Sequence, residues 1–189
     1  ESRFTVDIGA DADLRDKTFG MSVTFDQPGI AERAMYFGAS PFWKGGHDSV
    51  GVTAPSTSWY LAEGATGTFF ETFVLLANPH AIDVPVNLNF ETPGGSAARK
   101  TKTIPANGRL TINIEQEDAA LASTPVATTV DAELPIVVER SQYWPDPAPQ
   151  WYEAHNSFGL TALGRKWGLA EGRVGGANNA QTYILIANP

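Results

Sequence analysis

Four groups of residues in this chain could do chemistry or hold a ligand. His47-Asp48-Ser49 brings together the residue types of a hydrolytic triad. Glu63 and Glu171 each sit between Ala and Gly, a few residues after a Trp, and paired glutamates are the acid and base of glycosidases. Asp7, Asp11, Asp13 and Asp16 crowd one short stretch, a ligand type that suits calcium. Trp43 and Trp151 could also stack on sugar rings.

Each pattern has a plainer structural reading. Neighbours on an extended segment point in different directions, so His47, Asp48 and Ser49 cannot relay a proton among themselves. The acidic stretch lacks the glycine and final Glu of an EF-hand loop and reads better as a solvated turn, with calcium at Asp7, Asp11 and Asp13 as the weaker reading. There is no cysteine, which excludes disulfides and thiolate metal sites, and no cofactor is expected.

The elements that must position these residues read as short strands. Arg3–Ile8, Met21–Asp26 and Val84–Glu91 alternate apolar and polar residues with period two. Further strands are expected at Ile30–Phe37, Ser58–Leu61, Phe69–Ala77, Arg99–Ile104, Arg109–Ile114, Val126–Ala132 and Pro135–Trp144. Pro93-Gly94-Gly95 reads as a turn, Asn107-Gly108 as a hairpin turn, and Lys100 and Lys102 as guards of an edge strand. Gly38–Pro55 and Pro145–Gly164 read as long loops, and only Glu115–Ala122 as a helix. Strands with turns every 8–12 residues are expected of an antiparallel sandwich.

Composition agrees. Among 189 residues, 42% are hydrophobic, enough for a core, and only 18% are charged. A net charge of −8 opposes binding to nucleic acid. No apolar run approaches the ~20 residues of a spanning helix, so no membrane insertion is expected in this segment.

The chain also repeats itself. Trp59-Tyr-Leu-Ala-Glu-Gly64 returns as Trp167-Gly-Leu-Ala-Glu-Gly172, and Ala77-Asn-Pro79 as Ala187-Asn-Pro189. Eleven of the 21 residues from Trp59 to Pro79 recur, with a two-residue insertion. Arg3–Ile8 matches Arg109–Ile114; Glu32, Arg33 and Tyr36 match Glu139, Arg140 and Tyr143; Trp43 and His47 match Trp151 and His155. The expected organisation is tandem immunoglobulin-like β-sandwich units of about 107 residues: the last part of one (1–57), a complete unit (58–165) and the first part of the next (166–189). The chain then reads as a piece of a longer polypeptide, its partial units completing each other or their neighbours by strand addition.

Recurrence changes how the candidates read. Glu63 and Glu171 fall at equivalent places in separate units, tens of ångströms apart by domain dimensions, so each carboxylate is expected to serve its own unit, through an Arg such as Arg33 or Arg140. Trp59 and Trp167 read as packing anchors, and Glu32, Glu139, His47 and His155 as structural parts of the signature. The second copy carries Asn156 where the first has Asp48, which weakens any chemistry at the His-Asp pair. Trp43 and Trp151, on the expected loops, remain the candidates for glycan stacking.

Trp59–Gly67, Leu76–Pro79, Gly9–Asp13, Glu32–Phe37 and Gly45–Gly51 together resemble the repeat of a bacterial domain family of unknown function, found in large secreted and cell-surface proteins, mainly of actinobacteria and Chloroflexi-like organisms. Members read Trp-Tyr-Phe-Ala-Glu-Gly, Asn-Pro, Gly-Ala-Asp-Ala-Asp, Glu-Arg-x-Met-Tyr-Phe and Gly-Gly-His-Asp. The resemblance spans essentially the whole chain and implies an exported, extracellular, repeated and structural protein without enzymatic activity. The expectation is a structural or adhesive unit of a surface or filament protein, partnered by itself or by neighbouring units. The alternative is a carbohydrate-binding module of a secreted protein.

Overall fold

The computed structural model describes residues 2–38, 43–144 and 151–189. The opening residues of both expected loops, 39–42 and 145–150, lie outside them. Among the described residues nine strands follow in order: β1 (Glu32–Phe37), β2 (Gly45–Val50), β3 (Ser56–Leu61), β4 (Glu71–Ala77), β5 (Val84–Thr92), β6 (Gly95–Ile104), β7 (Arg109–Asn113), β8 (Ala127–Trp144) and β9 (Glu153–Phe158). All described pairings are antiparallel, and the architecture is mostly β, sandwich-like or half-barrel-like.

Strand β8 organises the larger assembly. Its first half pairs with β3 on one side and β5 on the other, with β6 beyond β5. Its second half pairs with β4 and β9, with β7 beyond β4. Pro135 falls between these halves, where the strand changes partners and a missing N–H disrupts least. The two strands expected on either side of Pro135 are therefore one strand of 18 residues.

The alternation in β5 works as the period predicts. Val84, Val86, Leu88 and Phe90 are all buried, and they meet Val74, Leu76, Ile104, Ile112, Val130 and Val138 in a single core. Each such side chain contributes about 1.5–3 kcal/mol by leaving water. Trp59 belongs to this core; its indole N–H reaches the carbonyls of Ser56 and Ile136, both at 3.0 Å. Gly64 of the Ala-Glu-Gly motif passes close to β8, and a Cβ there would come 2.6 Å from the Val126 carbonyl oxygen.

Several expectations are corrected. Arg3–Ile8 and Met21–Asp26 form no strands; their apolar residues Phe4, Val6, Met21, Val23 and Phe25 are exposed. Alternation makes a strand only where a neighbouring edge is present, and none of the described strands pairs with them. Both expected loops contain strands, β2 and β9, which lack apolar alternation and are held by their pairing partners. Glu115–Ala122 is two 3-10 turns, Ile114–Gln116 and Ala119–Leu121, rather than a helix. Asn107-Gly108 turns the chain, but it joins β6 to β7, which pair with different strands and make no hairpin. Strand β6 does lie at the edge of its sheet, as expected, and its Lys100 and Lys102 bind Asp118 at 2.9 Å and Glu117 at 2.7 Å.

Local structure recurs at matching positions. The β1–β2 and β8–β9 hairpins share one register: Arg33 faces Ser49 and Met35 faces His47, as Arg140 faces Ser157 and Gln142 faces His155. The flanking hydrogen bonds agree as well. Gly51 N–H donates to Ala31 and Gly159 N–H to Val138; Lys44 N–H donates to Phe37 and Tyr152 N–H to Trp144. Two early 3-10 turns, Ile8–Ala10 and Ala12–Leu14, correspond in place to those after β7. The surroundings differ: β8 carries β4 along its other edge, and among the described strands β1 carries only β2.

Candidate functional site

The Glu, Arg and His of the signature gather on the two hairpins: Glu32, Arg33 and His47 on the first, Glu139, Arg140 and His155 on the second. Arg140, on β8, is only 3% exposed. Its Nη1 lies 2.7 Å from Glu63 Oε2 and donates to the Glu63 carbonyl at 3.2 Å. Its Nη2 lies 2.7 Å from His155 Nδ1, on β9. A guanidinium can only donate, so Nδ1 accepts and the proton of a neutral imidazole sits on Nε2. Burial lowers the His155 pKa, and the Arg140 charge lowers it further. Burial also lowers the pKa of Arg140, opposed by the Glu63 carboxylate. This arrangement ties the end of β3 to the β8–β9 hairpin through a charge-assisted network.

Arg33 and His47 hold the matching places on β1 and β2, with different partners. Arg33 bridges Glu139 at 3.0 Å. His47 is buried, and its Nε2 lies 3.3 Å from the Tyr143 hydroxyl. Burial first, then the nearby Arg33 charge, pulls its pKa down to about 4, against the opposing pull of Asp48. These contacts seat the first hairpin on the second, helped by Phe37, whose ring packs edge-on to Tyr143 and Trp151.

His47, Asp48 and Ser49 lie on one strand, where His47 is buried, Asp48 is exposed and the Ser49 hydroxyl turns to the Val50 carbonyl. Glu32 is exposed beside Arg33. Glu171 is also exposed, and Trp167 is 59% exposed with its N–H on the Gly164 carbonyl. Asp7 and Asp11 cap the backbone N–H groups of Gly9 and Asp13. Among the described residues no three His, Asp or Glu side chains converge as a metal site.

The two candidate stacking tryptophans part company. Trp151 lies against Tyr143 with ring centroids 4.1 Å apart, is flanked by Phe73 of β4, and donates its N–H to Glu71 at 3.0 Å. It is partly buried, and its indole is already engaged by Tyr143, Phe73 and Glu71. Trp43 lies over Tyr36 at 6.2 Å, and both are more than half exposed. With Glu32, Lys44, His47 and Asp48 they line a groove of about 560 Å³. A bare aromatic pair rimmed by carboxylates and a lysine can take a sugar ring or another aromatic side chain.

A second groove of about 430 Å³ is lined by Tyr60, Leu61, Glu63, Arg140, Phe158 and the later residues Leu169 and Tyr183–Leu185. Around it, the repeated stretch is laid out without strands. Leu169, Ile184 and Ile186 are exposed, whereas their counterparts Leu61, Val74 and Leu76 are buried. Sequence reasoning matched Tyr36 with Tyr143 but gave neither a role beside the tryptophans, and it missed Phe73. The signal for the two tyrosines was that recurrence, 107 residues on.

No protein-family model matches the chain, and no curated protein matches it in sequence. Among solved structures, the chain is similar to protein 1070 of Thermotoga maritima, with a TM-score of 0.51 and 10% identity, over 57% of this chain and 96% of that one. It is also similar to the Anabaena sensory rhodopsin transducer, with a TM-score of 0.41 and 21% identity, over 48% of this chain and 99% of that one. At 10% identity the first likeness speaks to the β fold alone.

Proposed function

We propose that the chain is a structural repeat module of an exported bacterial surface or filament protein, belonging to the repeat family that it resembles and joining its neighbours by β-strand exchange. The observation that carries this reading is the shared register of the two hairpins combined with their unequal cover: β4 lies along β8, and among the described strands nothing lies along the same edge of β1. Open edges in a protein built of sheets invite pairing with another chain. The apolar residues of 167–187 that lack cover support the same reading. On this reading the sandwich units are tandem copies, Arg140, Glu63, His155 and Trp59 are structural, and the module works outside the cell. No helix among the described residues is long and apolar enough to cross a membrane.

Sedimentation over a wide concentration range, with electron microscopy at the top of it, tests the reading. Concentration-dependent species are expected. A monomer at all concentrations, with no fibres, would oppose it.

A carbohydrate-binding module is the second reading, and one observation favours it: the bare Trp43–Tyr36 pair in its groove. Glycan binding that is lost in Trp43→Ala and kept in Trp151→Phe would support it.

A further inference from the structure

We infer that residues 181–187 of a second copy of this chain add to the open edge of β1 in one defined register, and that Tyr183 then covers the bare Tyr36–Trp43 pair. The inference rests on the strand-exchange reading and names its site, register and partner.

The template lies within the chain. On β8, Tyr143 and Trp151 are covered by β4: Phe73 packs against both rings, at 5.9 Å and 6.3 Å, and Glu71 accepts the indole N–H. Tyr36 and Trp43 occupy the corresponding places on the first hairpin, stacked on each other and 62% and 53% exposed. The residues that correspond to Glu71 and Phe73 are Gln181 and Tyr183. Tyr183 is 74% exposed, and its hydroxyl donates to the Gln181 side-chain oxygen. An acceptor, an aromatic ring and a strand-like run Thr182-Tyr-Ile-Leu-Ile186 are thus present, at the right spacing, on a segment that forms no strand.

The register transfers directly. Glu71 faces Tyr143, Phe73 faces Ser141 and Leu75 faces Glu139. The matching pairs are Gln181 with Tyr36, Tyr183 with Ala34 and Leu185 with Glu32. The occupant is a second copy because the chain's own segment is placed elsewhere: its Tyr183, Ile184 and Leu185 lie around the groove formed by Tyr60–Glu63 and Phe158. A one-residue slip would turn the aromatic ring to the wrong face, so the register is strongly specified.

The absence of cysteine gives a clean test. Facing residues in an antiparallel pair have Cα atoms about 4.5–5.5 Å apart, within disulfide reach, and a two-residue offset exceeds it. Glu32→Cys protein is mixed with Leu185→Cys protein and oxidised, and Ala34→Cys with Tyr183→Cys serves as a second pair. All four positions are exposed, so folding is not at stake. A covalent dimer is expected from both pairs, in lower yield from the second because it removes the Tyr183 ring, and its loss from the offset pair Ala34→Cys with Leu185→Cys. Equal yields from all three pairs would overturn the register. A chain carrying both Glu32→Cys and Leu185→Cys that closes on itself as a monomer would overturn the second copy as occupant. Sedimentation of the unsubstituted protein separates the failures: self-association without the in-register dimer overturns this inference and leaves the strand-exchange reading standing, whereas a permanent monomer overturns both.

Discussion

Trp151 lies flat against Tyr143, ring centroids 4.1 Å apart and planes 24° from parallel, and it holds the β8–β9 hairpin closed under β4. The corresponding Trp43–Tyr36 pair is wider, at 6.2 Å, and open to solvent. One sequence signature thus appears in a covered and an uncovered form within one chain.

The difference predicts unequal costs. Trp151→Ala should destabilise dilute protein by about 3 kcal/mol, as truncating a packed aromatic does. Trp43→Ala should shift the urea midpoint little under the same conditions. Equal losses from the two substitutions would mean that Trp43 is already covered.

Glu63→Gln leaves the Arg140 guanidinium buried with neutral partners only. Allowing for the partial exposure of Glu63, the loss should be about 2 kcal/mol in urea unfolding. Glu171→Gln, at an exposed position, should leave dilute protein unchanged.

Acid should loosen the first hairpin. His47 titrates at about 4 in the folded chain against an ordinary value of 6.5, so on acidification the unfolded chain takes up its proton first. The stability that this neutral imidazole contributes is complete above 6.5 and is lost as pH falls towards 4. The slope from one such group approaches about 1.4 kcal/mol per pH unit at most. His155, also lowered, adds in the same direction. Unfolding measured from pH 7 to pH 4 should show this slope, and His47→Gln should make it shallower; an unchanged slope in that variant would place the titration elsewhere.

Asn78 explains the Asn-Pro motif. Its amide reaches the carbonyls of Ile82, Ile104 and Pro105 at 2.8–3.2 Å, and its oxygen accepts from His80 N–H. Asn78→Ala would remove the side-chain partner of one buried and three part-buried backbone groups, at a cost of about 2 kcal/mol read from thermal or urea unfolding.

Some of this was legible in the sequence. The alternation of Val84 to Phe90 gave a true core strand because one face of β5 is buried against other strands. The alternation of Phe4 and Val6 or of Met21 and Val23 was just as regular, yet no described strand lies beside it. Strand formation depends on a partner, and periodicity does not report whether one is present. Strands β2 and β9 failed in the opposite sense: Gly45-Gly46-His47-Asp48 has no strand pattern, and pairing with β1 extends it regardless. The recurrence of Glu-Arg and Trp-His pointed to the hairpins, but whether Arg33 would meet Glu139 or Glu63 depends on packing between them.

Amide hydrogen exchange of the unsubstituted protein, followed from dilute to concentrated solution, tests strand addition at β1 most directly. Protection of residues 32–37 and 181–187 should rise together with concentration, while the amides of β5 stay protected throughout. Fast exchange in both segments at every concentration would contradict the account.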